Sequence, residues 1–130
     1  MAKRPKNRTI DRERLVGGWR LVTYDHIDVR DRRRPAAAWF DGLVVFEPGG
    51  YLTVVINRDA PPDRPQDGTI AYGARYELDG NTIRNEVRVA SVRHWVGTVL
   101  ERTATLDGNR IAFTTAKSES GHYELIWERL

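Results

Sequence analysis

From Gly18 onward the apolar residues of this chain alternate with polar ones, and the runs are broken by Gly, Pro, Asn and Asp. A period of two puts every second side chain on one face of an extended strand, so the pattern predicts sheet with one dry face. About eight strands are predicted by this reading. They are Gly18–Tyr24, Gly42–Phe46, Tyr51–Asn57, Ile70–Leu78, Thr82–Ser91, Gly97–Leu106, Arg110–Ala116 and His122–Arg129. Only Asp11–Val16 reads as helical, a single turn with Asp11 as its N-cap.

Three connections are tight: Glu47-Pro48-Gly49-Gly50, Asp79-Gly80 and Asp107-Gly108. Each carries residues that supply turn geometry or positive φ, so sequence neighbours become neighbours in space and the sheet is an up-and-down meander. A meander of this length either exposes two edges or closes on itself, and closure removes the aggregation hazard of an open edge. The expected fold is all-β: a closed antiparallel barrel with a short N-terminal helical turn.

Alternation also assigns the lumen. In Thr82–Ser91, Ile83, Val87 and Val89 share a face with Asn85, while Arg84, Glu86 and Arg88 take the other. The inward sets on the flanking strands are Tyr72, Ala74, Tyr76 and Leu78; Leu100, Arg102 and Ala104; Ile111, Phe113 and Thr115; and Tyr123, Leu125 and Trp127. A two-residue Asp79-Gly80 turn pairs Tyr76 with Ile83 and Ala74 with Asn85, and an Asp107-Gly108 turn pairs Arg102 with Phe113. These registers predict a polar cluster of Tyr72, Tyr76, Asn85 and Arg102 in an otherwise apolar interior.

At 130 residues the chain has the length of a single domain with one core. Residues 1–10 are expected to be a disordered basic tail and 11–130 the barrel. The chain has no Cys, which excludes a disulfide framework, a thiolate nucleophile and Cys-ligated metal. The basic start is followed by no apolar segment of the kind secretion signals carry, so a cytoplasmic address is expected. Runs such as Leu43–Phe46 and Val54–Ile56 are too short to cross a bilayer, and no membrane insertion is expected.

A net charge of +3 rests on two clusters, Lys3, Arg4, Lys6 and Arg8, then Arg30, Arg32, Arg33 and Arg34. Asp28 and Asp31 interrupt the second, and no aromatic residues alternate with the arginines as a stacking platform requires, so no nucleic-acid partner is expected. His26, His94 and His122 lack ligand spacing, and no metal or other cofactor is expected. No Gly-rich phosphate loop and no Gly-x-Ser-x-Gly elbow is present.

Gly17-Gly18-Trp19-Arg20-Leu21-Val22 at the start, Trp127-Glu128-Arg129 at the end, and a middle containing Gly42-Leu43-Val44-Val45-Phe46, Gly50-Tyr51-Leu52 and Tyr72-Gly73-Ala74-Arg75-Tyr76 carry a resemblance. The chain resembles the bacterial lipocalin-like domain proteins of the calycin superfamily, from Leu15 through Val96-Gly97 and Arg102 to the end. The resemblance implies a ligand cavity without naming the ligand. It also leads one to expect a His where Asn85 stands. Closure would bring Trp19 beside Arg129, where a guanidinium over an indole contributes about 0.5–2 kcal/mol and plugs one end. Both residues are therefore read as structural.

The functional expectation is a largely hydrophobic small molecule held in the lumen. Arg102, Tyr72 and Tyr76 are the candidate catalytic residues, because a guanidinium and phenols can donate to an enolate or ketone oxygen. The candidate ligand-binding residues are Asn85, Val87, Leu100, Phe113, Tyr123 and Leu125, with Trp39 and Phe40 from a lid. A cofactor-independent cyclase or isomerase of a natural-product pathway is one class; a carrier or sensor of a lipophilic molecule is the other. An apolar Ala36–Phe40 segment after three arginines is expected to cover an open barrel end. Its alternative use is a subunit contact in a homodimer.

Overall fold

The computed structural model describes residues 9–130. Its strands are β1 (Gly17–Ile27), β2 (Arg33–Pro35), β3 (Phe40–Phe46), β4 (Tyr51–Arg58), β5 (Thr69–Asp79), β6 (Thr82–Ala90), β7 (Val99–Asp107), β8 (Arg110–Thr115) and β9 (His122–Arg129). They form a nine-stranded antiparallel sheet in which β1 pairs with β3 on one side and with β9 on the other, so the meander closes. The extra strand β2 adds outside the ring, against the far end of β1. The expected closed barrel is the observed fold.

Closure fixes two unlike ends. At one lie both chain termini of the barrel and the tight turns after β3, β5 and β7; at the other lie the longer connections after β1, β4, β6 and β8. Trp19 is fully buried at the first end, with its Nε1 donating to the Leu15 carbonyl at 2.9 Å. Arg129 stacks on it, the guanidinium carbon 4.1 Å from the ring centroid, and donates to the Val16 and Arg14 carbonyls. The guanidinium thus fills its donors on backbone that would otherwise be unpaired.

Both hairpin registers differ from the expected ones by the same step. Asp79 pairs with Thr82, and Asp107 pairs with Arg110, so the turns are Gly80-Asn81 and Gly108-Asn109. The cause is glycine: Gly80 (φ +63°) and Gly108 (φ +61°) take the first turn position, as Gly-first hairpin turns require, and each Asp stays in its strand. The slip moves each partner by two residues, which preserves faces but changes neighbours. Tyr76 therefore lies opposite Asn85, and Arg102 lies between Ile83 and Thr115.

Val89 overturns its expected place, being 65% exposed. Gly73 pairs with Val89 while Ala74 pairs with Val87, so Arg88 is an extra residue in a bulge and the alternation flips beyond it. A second bulge, between Leu21 and Thr23 on β1, brings Tyr24 to the buried face. The helical turn is a 3-10 turn at Arg12–Arg14, and the Asp11 side chain makes no cap hydrogen bond. Ile10, expected in the tail, is buried, and its amide bonds to the Gly80 carbonyl at 3.0 Å. Lys3, Arg4, Lys6 and Arg8 lie outside the described residues.

Candidate functional site: a chamber in the open half of the barrel

An eight-stranded barrel is just wide enough to be filled by side chains or to hold one small ligand. Here the lumen does both. In the closed half Phe46 meets Tyr76 edge-on at 5.2 Å and Phe113 at 6.2 Å, with Trp19, Ile83, Ile111 and Val87 filling the remainder. Phe113 and Trp127, 5.9 Å apart, line the boundary. Beyond them a chamber of ≈ 270 Å³ extends toward the long loops, near the lower limit of about 300 Å³ for small-molecule sites.

Its apolar wall comes from Val54, Ile56, Ile70, Phe113 and Leu125, the inward residues of β4, β5, β8 and β9. Trp95, from the loop after β6, completes it and meets Tyr72 edge-on at 6.0 Å. The polar wall comes from Tyr24, Arg58, Tyr72, Arg102, Thr115 and Tyr123, together with the Trp127 indole. No Asp or Glu is among the lining residues.

Two Tyr–Arg pairs dominate that wall. Arg58 Nη1 donates to the Tyr24 hydroxyl at 3.0 Å, and its Nε donates to the Asp67 carbonyl at 3.0 Å. The guanidinium is thereby fixed from both sides. Burial pushes the Tyr24 phenol above its ordinary value, with the Arg58 charge working against the rise. Tyr72 behaves alike: burial raises it and the neighbouring Arg102 guanidinium offsets part of the rise. Arg102 is half-buried and donates from Nη1 to the Glu101 carbonyl at 2.8 Å. Among the described residues neither Arg58 nor Arg102 forms a salt bridge.

The chamber gathers Arg102, Tyr72, Phe113, Tyr123 and Leu125 from the residues expected on sequence grounds. It does not gather the rest. Tyr76 is in the closed half, its ring 5.2 Å from the Arg12 guanidinium carbon, and its hydroxyl accepts from Arg12 Nε at 3.4 Å. Asn85 is 2% exposed with its Oδ1 unpartnered, Val87 is packed in the core, and Leu100 is half-buried beside Asn85; none of these lines the chamber. The expected four-residue polar cluster is therefore split, because the hairpin slip sets Tyr76 against Asn85 and leaves Tyr72 near Arg102 alone. Phe40 packs edge-on against Tyr24 at 6.0 Å without lining the chamber, and Trp39 is 55% exposed. Their segment does reach the open end, since the Ala38 amide bonds to Asp59 at 2.8 Å.

Sequence reasoning missed Tyr24, Arg58 and Trp95. Arg58 had a readable signal, because it continues the inward set Leu52, Val54, Ile56 by one more alternation. Tyr24 had none, since its bulge is not encoded in any Gly or Pro. Among the described residues no group of three or more His, Asp or Glu is placed to hold a metal ion. No helix among them is long and apolar enough to cross a membrane.

No family model matches the chain, and no curated protein matches it. Solved structures do. A redesigned β-barrel superimposes with TM-score 0.52 at 15% identity, over 91% of this chain and 93% of that one. A de novo designed fluorescence-activating β-barrel gives TM-score 0.50 at 11% identity, over 91% and 95%. A fatty-acid-binding protein of Echinococcus granulosus gives TM-score 0.47 at 9% identity, over 91% and 98%. These likenesses are of fold.

Proposed function

We propose that this protein binds a largely apolar small molecule in the open half of its barrel. One observation carries the reading: the lumen is filled in one half and empty in the other, and the empty half is lined by Arg58 and Arg102 beside Tyr24 and Tyr72 on an otherwise apolar wall. The test is a fluorescence titration with the neutral dye N-phenyl-1-naphthylamine. Saturable binding is expected, and it should raise thermal stability with concentration, by about 2.7 kcal/mol at a hundredfold excess over Kd. Absence of binding both by this dye and by an anionic dye of the same aromatic frame overturns the reading.

Catalysis is the second reading, favoured by the Tyr72–Arg102 neighbours. A neutral phenol beside a guanidinium on an apolar wall can donate to an oxygen on which charge develops, as a cofactor-independent cyclase or isomerase needs. Tyr76 is not part of it. With a substrate in hand, Arg102→Met should lower turnover about tenfold to a thousandfold, whereas a carrier of a neutral ligand would keep its affinity. Membership of the bacterial lipocalin-like family, a place in secondary metabolism and a cytoplasmic address accompany these readings as proposals. Exposed Trp39 as a homodimer contact is the alternative use of that side chain, checked by sedimentation.

A further inference from the structure

The polar wall of the chamber is one-sided in its charge, with two guanidinium groups and no carboxylate among its lining residues. Arg58 and Arg102, both in the chamber lining, can only donate hydrogen bonds. The Tyr24 hydroxyl already accepts from Arg58, so its own proton is left to be donated. The acids nearest in sequence turn to other partners: Glu101 pairs with Arg84 at 3.3 Å on the outer face, and only its carbonyl serves Arg102, while Asp59, next to Arg58, accepts from the Ala38 amide at 2.8 Å. Asp67 likewise pairs with Arg64 at 3.7 Å and offers Arg58 its carbonyl alone.

We propose that the ligand is an anion, an apolar molecule with a carboxylate, sulfonate or acidic enol group, whose charged end is held by the Tyr24–Arg58 and Tyr72–Arg102 pairs. This rests on the reading of the chamber as a small-molecule site and deepens it. Two guanidinium charges without counter-charge in a half-buried wall interact more strongly with an anion than they would in water, because the effective dielectric there is lower. A cation meets repulsion from both. A neutral ligand leaves both charges uncompensated and gains only apolar burial. Arg58 is the better placed of the two, being held by backbone and phenol before any ligand arrives, so less side-chain freedom is lost on binding.

Two dyes with one aromatic frame separate the inferences: 8-anilinonaphthalene-1-sulfonate and the neutral N-phenyl-1-naphthylamine. The sulfonate is expected to bind about tenfold tighter or more, with the advantage shrinking as salt is raised. Arg58→Met and Arg102→Met should each remove most of that advantage and leave the neutral dye within about twofold of its original affinity. Equal affinity for both dyes in the unaltered protein overturns the anion proposal and leaves the chamber reading standing. Binding of neither dye overturns both. If Arg58→Met does not fold, Arg58→Lys, which keeps the charge and loses the planar fork, should retain a preference for the sulfonate, and its loss there overturns the proposal.

Discussion

The closed and open halves of the barrel are made from the same alternating strands, yet their polar groups end differently. At the closed end the Trp19 indole donates to Leu15, and Arg129 spends its guanidinium on two backbone carbonyls and the indole face. At the open end Arg58 and Arg102 line the chamber and form no salt bridge among the described residues. A charged group spent on backbone and an indole face holds a fold together, while charged groups left at a cavity without a counter-charge mark where consistency was given up for a ligand. The difference lies on single strands: β1 carries Trp19 into the plug and Tyr24 into the chamber, and β9 carries Trp127 between the two.

Breaking the plug is expected to have the largest effect. Trp19→Ala removes a side chain with no exposed surface and should cost about 3–5 kcal/mol in a denaturant melt. A loss under about 1 kcal/mol would mean that closure does not depend on that end. At the other end Trp95→Ala removes a half-buried ring and should cost less than about 1.5 kcal/mol of stability while weakening the neutral dye about threefold to tenfold. If Trp95→Ala destabilises as much as Trp19→Ala, the two halves do not divide the work as described.

Smaller still is the stability change at Arg102→Met, expected within about 0.5 kcal/mol or slightly favourable, because the group is half-exposed and makes one backbone hydrogen bond. The smallest effect concerns pH. Tyr24 and Tyr72 are raised by burial, so the fold favours their neutral forms. That contribution is complete below the unfolded phenol value of about 10 and fades as pH rises through the folded values. An alkaline melt should show stability falling only above about pH 10, and Tyr24→Phe or Tyr72→Phe should reduce the loss. A melt unchanged by both substitutions would contradict burial of these phenols.

The barrel itself was legible because alternation and glycine-marked turns specify strands and their order, and the Trp19–Arg129 pairing results from closure. The chamber was legible only in part. Inward faces held for Tyr72, Arg102, Phe113 and Leu125, since a two-residue slip preserves faces, but partners across strands did not, since Asp-Gly was read as the turn where Gly-Asn forms it. Bulges explain the remaining misses: nothing in Val87–Val89 or Leu21–Thr23 announces an extra residue, yet each bulge flips the alternation beyond it, sending Val89 out and Tyr24 in. Trp95 belongs to a loop, where alternation says nothing.

The four tryptophans give the most direct test of the division between halves, because each indole N–H is one resolved proton–nitrogen NMR signal in a different place. Trp19 is in the plug, Trp39 is exposed, Trp95 lines the chamber, and Trp127 lies at its boundary with the N–H unpartnered. On titration with N-phenyl-1-naphthylamine, the Trp95 and Trp127 signals should move together and saturate while those of Trp19 and Trp39 stay in place. Movement of the Trp19 or Trp39 signal with Trp127 unmoved would contradict a ligand chamber in the open half.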